Sequence, residues 1–265
     1  MTHSPRDFYD SLAADYHRIF PDWDASIARQ AAALDGLLRR ELGSPGPHRV
    51  LDCACGIGTQ AIGLARVGHR VTGSDLSPAA VTRAAAEAAT RGMDLRTAAA
   101  DMRQLPFRDG VFDAVVCADN SIAHLLIRED LEAALRDMRR VLRDDGLLLL
   151  TLRDYDEACR TRPASVPPQV SEDSGGRYSE GRSITFQLWH WHDDGEHYDQ
   201  EYFQLLPEGD GWQVRVRHAT SWALTRREVA DAVSAAGFAD PAWHTPAESG
   251  FYQPVCVARA AQRCE

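Results

Sequence analysis

The sequence predicts a doubly wound α/β fold around a mostly parallel sheet of seven strands, and three observations support this prediction. Short apolar runs alternate with helical stretches over residues 50–152. The run at residues 111–118 is nearly all apolar, as expected of a strand that is buried on both faces. A glycine turn follows the first strand and opens a helix, which is where an open α/β sheet usually binds its ligand.

The predicted elements follow in order along the chain. The five central strands cover residues 50–55, 70–74, 95–100, 111–118 and 146–152, and the helices between them cover residues 60–67, 77–91 and 129–142. Ser77 and Pro78 are typical of a helix N-cap and its first position. A helix capped by Thr225, with Glu228 completing a capping box, leads to two closing strands at residues 242–245 and 255–260. This alternation predicts a parallel sheet.

Two segments depart from this alternation. Residues 1–44 contain two helical patterns, at 6–19 and 25–42, and predict an N-terminal helical cap. Residues 161–222 predict an insertion, in which a loop at 162–176 precedes strands at 183–191, 198–206 and 213–222. Short turns between consecutive strands are typical of an antiparallel meander. The α/β domain is therefore expected to comprise residues 45–160 and 223–265, with a three-stranded insertion after strand five.

Composition narrows the classes of function. The 265 residues include 29 Lys and Arg against 39 Asp and Glu, and the resulting charge of −10 argues against nucleic acid as a partner. The longest apolar run, at residues 147–150, is far too short to span a membrane, and the N-terminus has no signal-peptide pattern. The six cysteines form no Cys-x-x-Cys pair. We therefore expect a reduced, cytoplasmic protein with no membrane partner.

The glycine turn carries the first chemical signal. Gly56 and Gly58 follow the first strand, with Cys53 and Ala54 just before them. Glycines let a ligand approach the backbone, and this spacing alone would also fit a nicotinamide dinucleotide. Asp52 distinguishes a dinucleotide site from a methyl-donor site, because a carboxylate repels a pyrophosphate but attracts the sulfonium and ammonium of a methyl donor.

Acidic residues also end the next two strands. Asp75, followed by Leu76, can accept hydrogen bonds from both ribose hydroxyls; its alternative role is the N-cap of the next helix. Asp101 can accept a hydrogen bond from an adenine amine while Met102 packs on the ring. Three acidic residues at three successive strand ends predict a site for a nucleoside with a cationic group.

Taken in order, these residues resemble the class I S-adenosylmethionine-dependent methyltransferases over residues 45–155 and the closing helix and strands. The residues of the resemblance are Asp52, Gly56, Gly58, Asp75, Asp101 and Gly146. It implies a Rossmann-like methyltransferase fold, S-adenosyl-L-methionine as donor, S-adenosyl-L-homocysteine as product, and no metal. It also implies cofactor contacts from Cys53, Ala54, Leu76, Met102 and Ala118. We further expect Tyr16 and Arg29 to close over the cofactor, Arg29 on its methionine carboxylate, although Arg29 could simply be solvated.

The loop after strand four carries a finer resemblance. Residues 120–125, Asn-Ser-Ile-Ala-His-Leu, resemble the matching loop of glycine N-methyltransferases, as do the segments that contain Arg153 and Tyr202. The resemblance implies that Asn120, Arg153 and Tyr202 contact the acceptor, and that the insertion covers its site. An arginine fork suits a carboxylate. From the residues alone, Arg153 could instead pair with Asp154 or Asp156, and Asn120 could be a turn residue.

One position departs from that family, which has a glycine where this chain has Asp119. A carboxylate beside the methyl group favours a cationic or hydroxyl-bearing acceptor and crowds a site built for glycine. We therefore expect an acceptor other than glycine, with Asp119 orienting it or taking its proton. His124 is expected to contact the cofactor, or to be a helix N-terminal residue close to it.

Three histidines of the insertion raise the question of a metal. His190 and His192 share one face of a strand, with His197 nearby, but no third ligand has suitable spacing. We therefore expect no metal. Trp189 and Trp191 occupy the other face and are expected to pack the insertion onto the sheet.

The sequence thus favours methyl transfer to the amine of a small, carboxylate-bearing acceptor. Three alternatives stay open. O-methylation in small-molecule metabolism would need a base, either Asp119 or His124. A non-catalytic protein could keep the cofactor pocket, and a nicotinamide dehydrogenase is disfavoured by Asp52. Homo-oligomer formation, the number of methyl groups transferred and the acceptor's identity are left open.

Overall fold

The structure, a computed structural model, describes residues 4–171 and 182–262. Its helices are α1 (Pro5–Leu12), α2 (Trp23–Leu42), α3 (Thr59–Arg66), α4 (Pro78–Thr90), α5 (Arg128–Val141), α6 (Tyr155–Thr161), α7 (Arg226–Ala235) and α8 (Pro246–Ser249). Its strands are β1 (Arg49–Asp52), β2 (Arg70–Asp75), β3 (Arg96–Ala99), β4 (Phe112–Cys117), β5 (Leu142–Thr151), β6 (Ser165–Ser171), β7 (Ser183–Trp191), β8 (His197–Glu208), β9 (Gly211–Trp222), β10 (Phe238–His244) and β11 (Val255–Ala260). Cys264 and the end of the predicted loop, residues 172–176, lie outside the described residues.

The predicted seven-stranded sheet is confirmed, with the strand order β10-β11-β5-β4-β1-β2-β3. Strands β1 to β5 run parallel, and β11 enters antiparallel between β5 and β10. Apolar cores fill both faces of the sheet, one beneath α5 and α7 and the other beneath α2, α3 and α4. Because β1 and β4 are neighbours, the loops that follow them open onto the same crevice.

Local signals account for the helix boundaries. The Ser77 side chain accepts a hydrogen bond from the Ala80 N–H at the start of α4. Thr225 and Glu228 form the expected capping box at the start of α7. Each of these caps accepts hydrogen bonds from backbone N–H groups that have no partner within the first helical turn.

The insertion contains four strands, so the prediction of three was wrong in this detail. The additional strand, β6, lies inside the predicted loop and forms the edge of a sheet in the order β6-β7-β8-β9. Pro167 and Pro168 favoured the loop prediction because proline cannot donate to a ladder. The structure accommodates them at an edge, where pairing with β7 shifts register between Val166 and Gln169.

The N-terminal segment is also divided differently. The single helix expected over residues 6–19 ends at Leu12, and a separate 3-10 helix covers Tyr16–Ile19. Arg217 of β9 donates hydrogen bonds to the Ser11 carbonyl and to the Gln204 side chain, fixing this segment onto the four-stranded sheet. Arg83 of α4 donates to the Ala13 carbonyl from the opposite side. The segment therefore bridges the insertion and the α/β domain.

Over the described residues, the helices include none that is both long enough and apolar enough to cross a membrane.

Candidate active site

Two cavities meet at the carboxyl end of the parallel strands. One, of about 460 Å³, lies over the glycine turn, and the other, of about 510 Å³, lies under the four-stranded sheet. We call them the nucleotide cavity and the acceptor cavity. Four side chains line both and so mark their junction: Tyr9, Tyr16, Asp119 and His124. A group could pass between ligands at this junction without entering bulk water.

Most of the predicted cofactor residues line the nucleotide cavity. They are Cys53, Ala54, Gly56, Asp75, Leu76, Asp101, Met102 and Tyr16. Gly58 does not line it; its φ of 97° and the 2.8 Å that would separate an added Cβ from Ile62 Cδ1 give it a conformational role. Ala118 is 1% exposed and belongs to the apolar core. Arg29 lines the acceptor cavity instead, where it donates to Ser26 Oγ.

Asp75 holds the glycine turn in place. Its carboxylate accepts hydrogen bonds from the Gly56 N–H at 2.8 Å and the Ser77 N–H at 2.9 Å. Burial raises its pKa, although both amides favour the charged form. Ser77, not Asp75, caps α4. Because each carboxylate oxygen has two lone pairs, Asp75 retains the capacity to accept further hydrogen bonds.

Asp101 is engaged by a residue that the sequence analysis did not single out. Arg103 donates to both carboxylate oxygens of Asp101 and also donates to Asp130 at 2.7 Å. Burial works to raise the pKa of Asp101, but the Arg103 guanidinium holds it below the usual range. Asp101 therefore stays ionised, and an adenine amine would have to share it with Arg103.

Asp52 lies beneath the cavity and lines neither one. It is fully buried, and neither carboxylate oxygen has a hydrogen-bond partner among the described residues. Burial raises the pKa of Asp52 to about 8. The backbone at Ala54 and Ala61 favours the ionised carboxylate and so opposes this shift, but it does not reach hydrogen-bond geometry. An uncompensated buried carboxyl beside a glycine turn suits a cationic ligand that would stabilise its ionised form.

Tyr9 and His124 form a hydrogen bond at the junction, with 2.9 Å between the phenol oxygen and Nε2. Burial lowers the pKa of His124, so the imidazole is neutral near pH 7. Its Nδ1 lies 3.3 Å from the Thr220 carbonyl, which can only accept. Nδ1 therefore carries the proton, Nε2 accepts from the Tyr9 hydroxyl, and the phenol oxygen keeps its lone pairs free for the cavity.

Asp119 is fixed by side chains from three elements. Tyr252 and Gln60 each donate to its carboxylate, and Gln60 lies 2.9 Å from Oδ2. Thr151 Oγ1 accepts from the Asp119 N–H at 2.8 Å. Burial raises the pKa of Asp119, while Tyr252 and Gln60 oppose that shift. Its φ of 59° is left-handed, a strained conformation for a non-glycine residue and one that is frequent at functional sites.

Arg153 points an unpaired cation into the acceptor cavity. Its guanidinium carbon lies 4.7 Å from the centroid of the Trp189 ring, and it makes no ion pair with any described residue. The two carboxylates that sequence reasoning offered as partners, Asp154 and Asp156, both pair with Arg226. The backbone N–H of Arg153 donates to Asn120 Oδ1. Asn120 therefore positions the Arg153 backbone, and it also occupies a left-handed turn.

Tyr202 contributes an orphaned hydroxyl to the same cavity. Its side chain is 6% exposed, and its hydroxyl has no hydrogen-bond partner among the residues described. Nearby, the hydroxyls of Tyr155 and Tyr198 lie 3.0 Å apart. The predicted acceptor residues Asp119, Asn120, His124, Arg153 and Tyr202 thus line one cavity.

Two histidines of the insertion pair with carboxylates across neighbouring strands, and His197 pairs with Asp194 in the preceding turn. His190 lies 3.1 Å from Glu201, and His192 lies 3.2 Å from Asp199. Within residues 4–171 and 182–262, no cluster of three His, Cys, Asp or Glu could hold a metal ion. Trp189 joins the core beneath the insertion, as expected, and stacks on Tyr198 at 4.2 Å.

Sequence reasoning missed several residues of the site. Tyr9, Gln60, Tyr252 and Arg103 line the cavities or hold a predicted residue, yet none belongs to a recognisable motif. One signal was available for Tyr9, which lies beside Phe8 on the same amphipathic helix that carries Leu12. Tyr252 and Gln60 reach Asp119 from 133 and 59 residues away, and no local pattern encodes such contacts.

Comparison with known proteins identifies a methyltransferase domain in this chain. Residues 50–146 match a family described as a methyltransferase domain. A glycine/sarcosine N-methyltransferase of Parasynechococcus marenigrum is 40% identical over 153 residues, 56% of this chain and 54% of that protein. Glycine N-methyltransferase of Rattus norvegicus is 33% identical over 181 residues, 62% of this chain and 58% of that protein. The chain spans about half the length of the curated relatives it matches.

Solved structures share the fold over most of the chain. An S-adenosylmethionine-bound amino pentose methyltransferase from Micromonospora echinaspora superposes with a TM-score of 0.70 at 21% identity, covering 95% of this chain and 97% of that one. A sugar N-methyltransferase from Streptoalloteichus superposes with a TM-score of 0.67 at 23% identity, covering 89% and 88%. Residues 50–146 therefore match a methyltransferase domain, and the chain resembles the S-adenosylmethionine-dependent methyltransferases in fold and the glycine N-methyltransferases in sequence.

Proposed function

We propose that the protein transfers a methyl group from S-adenosylmethionine to the amine of a small acceptor that also carries a carboxylate. The observation that carries this proposal is the unpaired Arg153 guanidinium in a cavity that meets the nucleotide cavity at Asp119. A guanidinium in a partly buried site favours an anion, and a carboxylate matches its fork with two parallel hydrogen bonds.

The donor side offers groups that fit S-adenosylmethionine. Asp75 would accept from its ribose hydroxyls, and Leu76 and Met102 would pack on its adenine. The unpartnered carboxyl of Asp52 supports a cationic ligand above it. When bound, the donor supplies a methyl group on a sulfonium, a good leaving group that needs no protein acid.

The acceptor side determines orientation. Arg153 would fix the carboxylate, Asn120 holds the Arg153 backbone, and Asp119 would orient the amine lone pair toward the junction. Transfer then requires that the acceptor be held close, in line and out of water, and such positioning can supply most of the rate enhancement. The apolar side chains of Phe8 and Leu12, both buried, exclude water from one wall.

O-methylation is the second candidate, because one observation favours it. A neutral imidazole, His124, lies at the junction with its Nε2 accepting from Tyr9, so the Tyr9 hydroxyl could take the proton of an acceptor hydroxyl while passing its own proton to His124. A hydroxyl acceptor needs such a base and an unprotonated amine does not, so the two reactions can be separated by experiment.

The test begins with the donor. Calorimetric titration should detect S-adenosylhomocysteine binding to the wild type and not NAD, and Asp75→Ala should weaken it roughly ten- to a hundredfold. Mass spectrometry should then detect methylation in a panel of amines, carboxylate-bearing amines and phenols. Binding of NAD, or methylation of phenols alone, would overturn the proposal.

A further inference from the structure

Past Arg153, the acceptor cavity continues along the inner face of the four-stranded sheet, and this face is polar but uncharged. The side chains that line it come from three strands: Gln169, Thr185, Gln187, Gln200 and Tyr202. Gln187 lies opposite Tyr202, and Gln169 lies opposite Thr185. Since side chains opposite one another share a face, they form one continuous surface. We call it the amide face.

The amide face has hydrogen-bonding capacity that the protein itself does not use. The Tyr202 hydroxyl is buried, and although the neighbouring Thr185 side chain opposes the rise in its pKa, no described residue reaches it with hydrogen-bond geometry. Gln187 Oε1 accepts from Trp189 Nε1 at 2.9 Å, which leaves the Gln187 amide N–H groups. The Gln200 side chain forms no hydrogen bond with another described residue and is half-buried. Buried polar groups are nearly always paired, so the Tyr202 hydroxyl points to a polar ligand, and the half-buried glutamines beside it can contact the same ligand.

The cavity is also too large for glycine. Its volume of about 510 Å³ is roughly seventeen times the 30 Å³ that one water molecule occupies in the liquid. It lies in the range of pockets that hold ligands of many atoms. Phe8 and Leu12, which pack with Tyr202, form part of its wall.

We infer that the acceptor carries, beyond its amine and carboxylate, a hydroxyl or amide group that hydrogen-bonds to Gln200 and Tyr202 on the amide face. This inference rests on the proposed function and deepens it. The substrate class is a carboxylate-bearing amine with a polar, uncharged side chain larger than that of glycine. A charged side chain is disfavoured because the side chains of the amide face are uncharged, and Arg217, which lies opposite Tyr202 on β9, already donates to Gln204 and Ser11.

Matched acceptors test this directly. Homoserine against norvaline, and glutamine against norleucine, replace a hydroxyl or an amide by apolar carbon at similar length. In the wild type, we expect kcat/KM for the polar member of at least one pair to exceed that for its apolar partner roughly tenfold or more. The reason is that an apolar analogue leaves the polar side chains of the amide face without a hydrogen-bond partner. Gln200→Met and Tyr202→Phe should each reduce this ratio several-fold, without changing S-adenosylhomocysteine affinity. Glu201→Gln, on the opposite face of the same strand, is the matched control and should keep the ratio.

The outcomes separate the two proposals. Methylation of both members of each pair at equal rates in the wild type would overturn the inference and uphold the proposed function. A preference that survives in both variants would also overturn it, because the amide face would not be its source. If no carboxylate-bearing amine is methylated, the proposed function fails, and the inference fails with it.

Discussion

The guanidinium carbon of Arg153 lies 4.7 Å from the centroid of the Trp189 indole, and no described carboxylate pairs with it. Trp189 is itself held, because it stacks on Tyr198 at 4.2 Å and donates to Gln187. A planar cation on an aromatic ring keeps its orientation while its N–H groups remain free. The pair therefore preorganises Arg153 for an anion.

Replacing Arg153 by Lys tests this arrangement. Lysine keeps the charge but loses both the fork and the planar stacking, so kcat/KM for the acceptor should fall roughly ten- to a hundredfold. Affinity for S-adenosylhomocysteine should not change. Steady-state kinetics and calorimetry measure the two effects. Arg226→Lys, which affects only the surface pairs with Asp154 and Asp156, is the control. Equal use of an acceptor and its methyl ester by the wild type would rule out a carboxylate clamp.

The buried carboxyl of Asp52 should make stability depend on pH. Its pKa is about 8 in the folded protein, against about 3.9 when unfolded. Over this interval the folded chain binds more protons than the unfolded chain, so the stabilisation is complete below about pH 4 and is lost as the pH rises through 8. The free energy of unfolding of the wild type should therefore decline from pH 5 to 8 more steeply than that of Asp52→Asn. Urea denaturation at several pH values measures the difference.

Donor binding provides the second half of that test. If the cationic donor favours ionised Asp52, S-adenosylmethionine affinity should rise with pH between 6 and 8 in the wild type. In Asp52→Asn the affinity should be lower and nearly independent of pH. S-adenosylhomocysteine, which has no sulfonium, is the control ligand and should show a smaller rise. An Asp52→Asn variant that fails to fold would instead identify a structural carboxyl.

The sequence predicted the sheet well, because strand and helix periodicity depend on neighbouring residues. It also predicted which residues end the strands, and those ends lie together for the same topological reason. It could not predict that Arg103 would donate hydrogen bonds to Asp101, or that Asp52 would lie under the nucleotide cavity rather than in its wall. Those facts depend on side-chain directions that periodicity does not determine.

In the insertion, too, local patterns predicted the strands, whereas contacts between distant residues could not be predicted. Strands β7 and β8 have the expected alternation, whereas β6 contains two prolines and is stabilised as a strand only by its neighbour. Tyr9 reaches His124 across 115 residues. Contacts of this length become visible only once the N-terminal segment is docked on the sheet.

His124→Asn should separate methylation of nitrogen from methylation of oxygen. His124 is neutral because burial lowers its pKa, and its Nε2 lies at the junction. If an amine is the acceptor, no base is needed in the transfer step, and kcat should fall less than about tenfold. A hydroxyl acceptor would lose a factor of roughly 10² to 10⁴. Tyr9→Phe, which removes the same hydrogen bond but keeps the imidazole, is the companion variant.

Asp119 is where this chain departs from the glycine N-methyltransferase pattern, and its backbone makes an informative substitution available. Its φ of 59° is favourable for glycine, so Asp119→Gly should fold without backbone strain. The change removes the acceptor of the Tyr252 and Gln60 hydrogen bonds and opens space at the junction. Both consequences act on the acceptor side of the site.

We therefore expect Asp119→Gly to shift acceptor preference toward glycine, because the carboxylate that crowds a small amine is gone. The ratio of kcat/KM for glycine to that for a larger polar acceptor should rise roughly tenfold, about 1.4 kcal/mol in relative transition-state stabilisation. Competition between the two amines in one reaction, followed by mass spectrometry, measures this ratio directly. Asp145→Gly, at an exposed position with a φ of 60°, controls for backbone conformation and should leave the ratio unchanged. A folded Asp119→Gly variant with the wild-type ratio would show that Asp119 does not select the acceptor. Selection would then have to come from Arg153 and the four-stranded sheet.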